Sequence, residues 1–223
     1  MAFEITAWLS GISSKIQLTF ADRVLFIGYH GSYCRHEATE SSDVDMVVIL
    51  DKVTLNDLKE YQAIVASMPY SEKACGFIAG REELEAWPKA DMFQLVFETK
   101  SIFGNLQNLF TPLSKEDVAM AVKIGSGNIY HAACHSFLYD KDLKSSLTVL
   151  YKMAFFVLQA KYYQQSGQYI PTQKELLLLL DGKDREILEY CINRKSFMQY
   201  EATEINSLYE KLILWSADSL KEK

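Results

Sequence analysis

The chain has 223 residues, 49% of them hydrophobic and 23% charged, with a formal net charge of −6, so it can bury a sizeable core as one large domain or two small ones. The acidic balance and the lack of an extended basic stripe disfavour nucleic acid as a partner, and no apolar run is long enough to span a bilayer, so no membrane partner is expected. Glu4 and the missing basic segment at the N-terminus argue against a secretory signal, and Cys34, Cys75, Cys134 and Cys191 are scattered without a paired spacing, which reads as thiols in a reducing cytoplasm.

Taken in chain order, "EITAWLSGISSKIQLTF" carries apolar residues at helical spacing and predicts an amphipathic helix. "RVLFIGYHGS" predicts a strand running into a tight turn, and "VDMVVILD" a second strand. "TLNDLKEYQAIVASM" predicts a helix with Thr54 as N-cap and Asp57 in the capping-box position. "KACGFIAG" reads as a third strand, "REELEAWP" as a short helix closed by Pro88, and "MFQLVFET" as a fourth strand, rich in aromatic and β-branched residues. Beyond Gly104 the character changes, with "LFTPLS" as the linker candidate. "SKEDVAMAVKI" opens a helix with Ser114 as N-cap and acids in its first turn. "NIYHAACHSFLYD" reads as its continuation past Gly125 and Gly127, and "LKSSLTVLYKMAFFVLQAKYYQQSG" as a long helix ending at Gly167. "TQKELLLLLDG", "KDREILEYCINRK" and "ATEINSLYEKLILWSADSLKEK" complete a helical half. The expected organisation is an α/β half over residues 1–112 and a helical half over 113–223.

Chemistry concentrates in "GSYCRHEATESSDVDMVVIL". Strand alternation puts Asp43 and Asp45 on one side with Val47 and Ile49, leaving Val44, Met46 and Val48 on the other. Two carboxylates so close repel one another, and a divalent cation between them removes the conflict. Mg²⁺ suits hard oxygen ligands and binds through one or two carboxylates plus substrate phosphates. Gly31 allows close backbone approach to a triphosphate, and Ser32 offers a hydroxyl and an N–H. Arg35 and His36 add positive charge. An isolated Asp-x-Asp is more often a solvated strand end. Here the order of strand, Gly-Ser, polar stretch, Ser-Asp-x-Asp and strand brings phosphate and metal ligands to one place.

This stretch resembles the signature of the DNA polymerase β-like nucleotidyltransferase superfamily, and is similar above all to the small bacterial members: the kanamycin and streptomycin nucleotidyltransferases and the minimal nucleotidyltransferases. The resemblance implies an α/β (α+β) fold, with an N-terminal mixed sheet flanked by helices followed by a C-terminal helical bundle. It implies Mg²⁺-dependent transfer of a nucleoside monophosphate, AMP from ATP, to a hydroxyl of a small molecule, a protein or an RNA end, the small molecule being favoured. Gly31 and Ser32, helped by Arg35, would hold the nucleotide, and Asp43 and Asp45 the metal. The family usually has glycine after the arginine, where this chain has His36. It commonly uses a third carboxylate on a neighbouring strand, as metal ligand or base. Glu98 is the candidate, sharing a strand face with Gln94 and Val96; Gln94 and Asp91 are alternatives, and a structural pairing of Glu98 with Lys100 competes with the catalytic role. In the resembling antibiotic enzymes the helical domain closes over the nucleotide, so Lys152 would reach a phosphate there, against a simpler reading as a snorkelling side chain. A homodimer is a further expectation, and a nucleotide-binding or interaction module with weak or no catalysis, antitoxin-like or a sensor, is the rival function.

Other features carry less. His131 and His135 have the i, i+4 spacing of a zinc pair without a third ligand at a telling distance, and read as polar helix residues. Tyr151, Tyr162 and Tyr163 read as core before acceptor cleft. "GSGN" at 125–128 follows no strand and is no phosphate loop, and "DGKDRE" is a solvated turn.

Overall fold

The computed structural model describes residues 3–222. It divides into two units, Met1–Pro112 and Leu113–Lys223. In the first, β1 (Val24–His30), β2 (Val44–Leu50), β3 (Ala74–Gly80) and β4 (Lys100–Phe103) form a mixed sheet in the order β3-β2-β1-β4. β1 is antiparallel to both β2 and β4, whereas β2 and β3 are parallel. Parallel neighbours need a crossover, supplied by α3 (Leu55–Ala66).

Every residue of β2 except Asp45 is buried, which is the composition of a strand covered on both faces. On one face, α1 (Ile5–Phe20) packs Trp8, Leu9, Ile12, Ile16 and Phe20 against Val44, Met46, Val48 and Leu50. These α1 residues recur at three- and four-residue spacing, the stripe that an amphipathic helix buries. Glu4 caps α1 by accepting from the Thr6 and Ala7 amides. The predicted capping box of Thr54 and Asp57 opens α3. Arg23, just before β1, donates to both oxygens of Asp57, to Asp51 and to the Lys52 carbonyl. One guanidinium thus ties the start of β1 to the end of β2 and to the cap of α3.

The predicted fourth strand is corrected. "MFQLVFET" forms a 3-10 turn, Lys89–Met92, followed by α5 (Phe93–Glu98), and the fourth strand begins only at Lys100. The apolar residues misled because aromatic and β-branched side chains favour a sheet. Their pairing is helical instead: Phe93 and Phe97, one turn apart, meet with ring centroids 4.9 Å apart and planes tilted by 50°. The short α4 (Arg81–Ala86) links β3 to this segment.

The second unit contains α6 (Lys115–Tyr139), α7 (Leu143–Ser166), α8 (Gln173–Leu177), α9 (Gly182–Asn193) and α10 (Ala202–Lys221). Ser114 and Asp117 form a capping box on α6, which runs unbroken through Gly125 and Gly127. Gly125 is there for packing: a Cβ would lie 2.7 Å from Val157 Cγ2 on α7. α7 stops at Gly167, whose φ of 71° is the left-handed C-cap. Tyr151, Phe155, Phe197, Tyr209 and Leu212 are fully buried in this unit's core. The predicted helix through "ELLLLLDG" stops at Leu177, with Leu178 and Leu179 exposed. All four cysteines are thiols rather than disulfides.

Candidate active site

The register of the sheet lines up one row of side chains. His30 on β1 lies opposite Asp45 on β2, and Asp45 lies opposite Cys75 on β3. Residues paired across neighbouring strands project from the same face, so Cys75, Asp45 and His30 stand side by side on the face away from α1. Asp43 is exposed, one residue ahead of β2, and the alternation of the strand carried back one residue puts it on Asp45's side.

The Gly-Ser turn meets this row directly. Gly31 and Ser32 open the four-residue α2 (Gly31–Cys34), which starts where β1 ends. Gly31 has φ +74°, and a Cβ there would lie 2.1 Å from Asp45 Oδ2. The Asp45 carboxylate therefore occupies the space that any side chain at residue 31 would need. Glycine is required twice over, for the left-handed backbone and for the contact. The loop after α2 makes a second left-handed residue at His36, φ +59°. This is the position where the resembling family has glycine. The backbone shape is that of a glycine, adopted here by histidine, one of the residues that tolerate it best.

Behind the turn lies a buried charge cluster. Arg35 and Glu98 are both buried and form an ion pair, Arg35 Nη1 to Glu98 Oε1. Arg35 Nε also donates to Glu37 Oε2 at 3.0 Å. The other Glu98 oxygen lies 3.8 Å from His30 Nδ1. Burial alone would raise the Glu98 carboxyl, but His30 and Arg35 outweigh it and hold it below the usual glutamate range. Two backbone links add to this: Cys34 Sγ donates to the Glu98 carbonyl at 2.8 Å and Lys100 Nζ to the Cys34 carbonyl at 3.2 Å.

The structure thus sets Gly31 against Asp45, with Ser32 next in the turn and Asp43 exposed one residue ahead of β2, while Arg35, after the turn, pairs with Glu98. Glu98 is not on a strand with Gln94 and Val96, and its charge partner is Arg35 rather than Lys100. Gln94 lies within α5 and Asp91 is exposed on the preceding turn. The strands that do neighbour β2 are β1 and β3; β3 carries Cys75 and Phe77 on the face of Asp45, and neither strand has a carboxylate. Lys152 lies in the other unit, exposed on α7 among buried Tyr151, Ala154 and Phe155. Tyr151 is fully buried, its hydroxyl donating to the Leu208 carbonyl at 3.0 Å, so it is core. His131 and His135 are exposed on α6 with ring centroids 6.1 Å apart. Among the described residues no group of three or more His, Cys, Asp or Glu is arranged to hold a metal ion. His30 and Cys75 were missed. His30 carried a signal, since in a hairpin the residue before the turn faces the start of the returning strand; the parallel register that selects Cys75 has none.

At the level of sequence, no protein-family model and no curated protein matches the chain. Among solved structures it is similar to the spectinomycin adenyltransferase of Enterococcus faecialis, solved with ATP and spectinomycin. The TM-score is 0.59 at 14% identity, over 97% of this chain and 99% of that one. The chain has a nucleotidyltransferase fold. Asp45 lies in β2 between β1 and β3, and Asp43 is exposed one residue ahead of that strand.

Proposed function

We propose that the chain is a Mg²⁺-dependent nucleotidyltransferase that moves a nucleoside monophosphate, AMP from ATP, onto an acceptor hydroxyl and releases pyrophosphate. The observation that carries this reading is the seat of the Asp45 carboxylate against Gly31, which joins the acid pair to the phosphate turn. The resemblance of "GSYCRHEATESSDVDMVV" and the likeness in fold to an adenyltransferase support it.

The donor set fits Mg²⁺. Asp43 and Asp45 offer two carboxylates that would hold the ion, and water and substrate phosphates would supply its remaining ligands. Bound there, it would neutralise charge on the transferring phosphate and the leaving oxygen. Gly31 lets the triphosphate approach the backbone, and the Ser32 hydroxyl and N–H donate to its oxygens. The acceptor oxygen then forms a bond to the α-phosphorus while the bond to the bridging oxygen breaks and pyrophosphate leaves. The protein's contribution is positioning and electrostatics. A small-molecule acceptor is favoured by analogy with the fold neighbour, and an acidic chain favours a cationic one.

A second reading, a nucleotide-binding module with weak or no transfer, is favoured by one observation. β3 carries no carboxylate and Glu98 is committed to Arg35 and His30, so the acceptor proton has no evident destination on these elements. Incubation with α-labelled ATP, Mg²⁺ and a panel of small cationic hydroxyl compounds separates the two. Label on an acceptor establishes transfer; ATP binding with every acceptor unlabelled supports the module.

A further inference from the structure

We propose that Glu98 is a positioning residue: through Arg35 and His30 it clamps the Gly31–Ser32 turn against Asp45, and it sets nucleotide affinity without receiving the acceptor's proton. The inference deepens the function proposed above and rests on it for its catalytic half.

The geometry argues this from both ends of the turn. At its entry, His30 sits in the sheet row with Asp45 and points Nδ1 at Glu98. At its exit, Arg35 is buried and ion-paired with the same carboxylate. One carboxylate thus pairs with Arg35 after the segment 31–34 and faces the His30 imidazole before it. The Cys34 thiol bonded to the Glu98 carbonyl and Lys100 bonded to the Cys34 carbonyl fasten the same two segments. β1 and β4 pair immediately alongside, Tyr29 opposite Lys100. A group so engaged is badly placed for proton transfer, because a general base must reach the substrate's proton with an oxygen still able to take it. What the clamp does fix is a turn whose first residue tolerates no drift, since Gly31 touches the Asp45 carboxylate.

The test has a half that needs no nucleotide. Glu98→Gln keeps the shape and loses the charge. Hydrogen exchange on the nucleotide-free chain should show amides 31–36 exchanging at least tenfold faster, with α1 and α3 unchanged. Unchanged exchange at 31–36, or equal acceleration everywhere, would overturn the clamp. Should Glu98→Gln fail to fold, Arg35→Lys, which keeps the buried charge pair but loses the guanidinium fork, carries the same test. The second half is steady-state transfer from ATP·Mg²⁺. Glu98→Gln should raise KM for ATP about tenfold and leave kcat within about threefold. A fall in kcat of about a hundredfold or more at unchanged KM is the signature of a lost general base and would refute the proposal. Local loosening in Glu98→Gln, with a wild-type chain that transfers nothing, would uphold the clamp and remove the nucleotidyltransferase reading instead.

Discussion

Gly31 and His36 both adopt left-handed backbone, and opposite substitutions follow. Gly31→Ala places a methyl group where Asp45 Oδ2 now lies and adds a left-handed alanine at a cost of about 1–2 kcal/mol. A lower melting temperature and a loss of nucleotide binding are expected, measured by thermal denaturation and calorimetry. His36→Gly removes a left-handed side chain, offset by roughly 0.5–1 kcal/mol of added unfolded-state freedom, so stability should hold or rise slightly. The same two residues show the reach and the limit of sequence reading. Gly31 was legible because glycine before serine and an acid pair implies close approach. The left-handed shape at His36 was not, because histidine carries no such requirement and the backbone alone reveals it.

At the level of elements, local signals were legible where one side chain does the work. Thr54 with Asp57 and Ser114 with Asp117 close capping boxes that depend only on spacing. The segment 93–98 was not legible, because Phe93, Val96 and Phe97 suit a strand by type and a helix by the contact of the Phe93 and Phe97 rings one turn apart. That error moved Glu98 from a strand face to the end of a helix, where Arg35 meets it. The cap of α3 also yields a pH dependence. Hydrogen bonds from Arg23 and Thr54 hold the Asp57 carboxyl well below the usual carboxylate range. A lowered carboxyl contributes stability that is fully present above its ordinary value of 3.8 and fades as pH falls below it. Asp57→Asn should therefore lower the melting temperature at pH 7, and the gap from wild type should close under acid below about pH 3.8. A gap constant down to strongly acid pH would show that the ion pair is not its source.

Across the whole molecule, the change of pattern near the "LFTPLS" stretch falls at the Pro112–Leu113 division of the two units, whereas the strand order was not legible. Sheet neighbours are chosen by packing between distant segments, so the row of Cys75, Asp45 and His30 exists only in the folded chain. Binding of ATP with Mg²⁺ should stabilise the fold by mass action, about 2.7 kcal/mol at a hundredfold excess over Kd, and a chelator that removes the ion should reverse most of that gain. A gain unaffected by the chelator would detach nucleotide binding from the acid pair. The central claim is that Asp45, seated on Gly31, holds the ion that reaches the triphosphate. Its most direct measurement is transfer of label from α-labelled ATP by Asp45→Asn, with folding confirmed by circular dichroism. The account requires a loss of at least about a thousandfold relative to wild type, in line with removing an electrostatic group at the reacting phosphate; transfer within tenfold of wild type by the folded variant would contradict it.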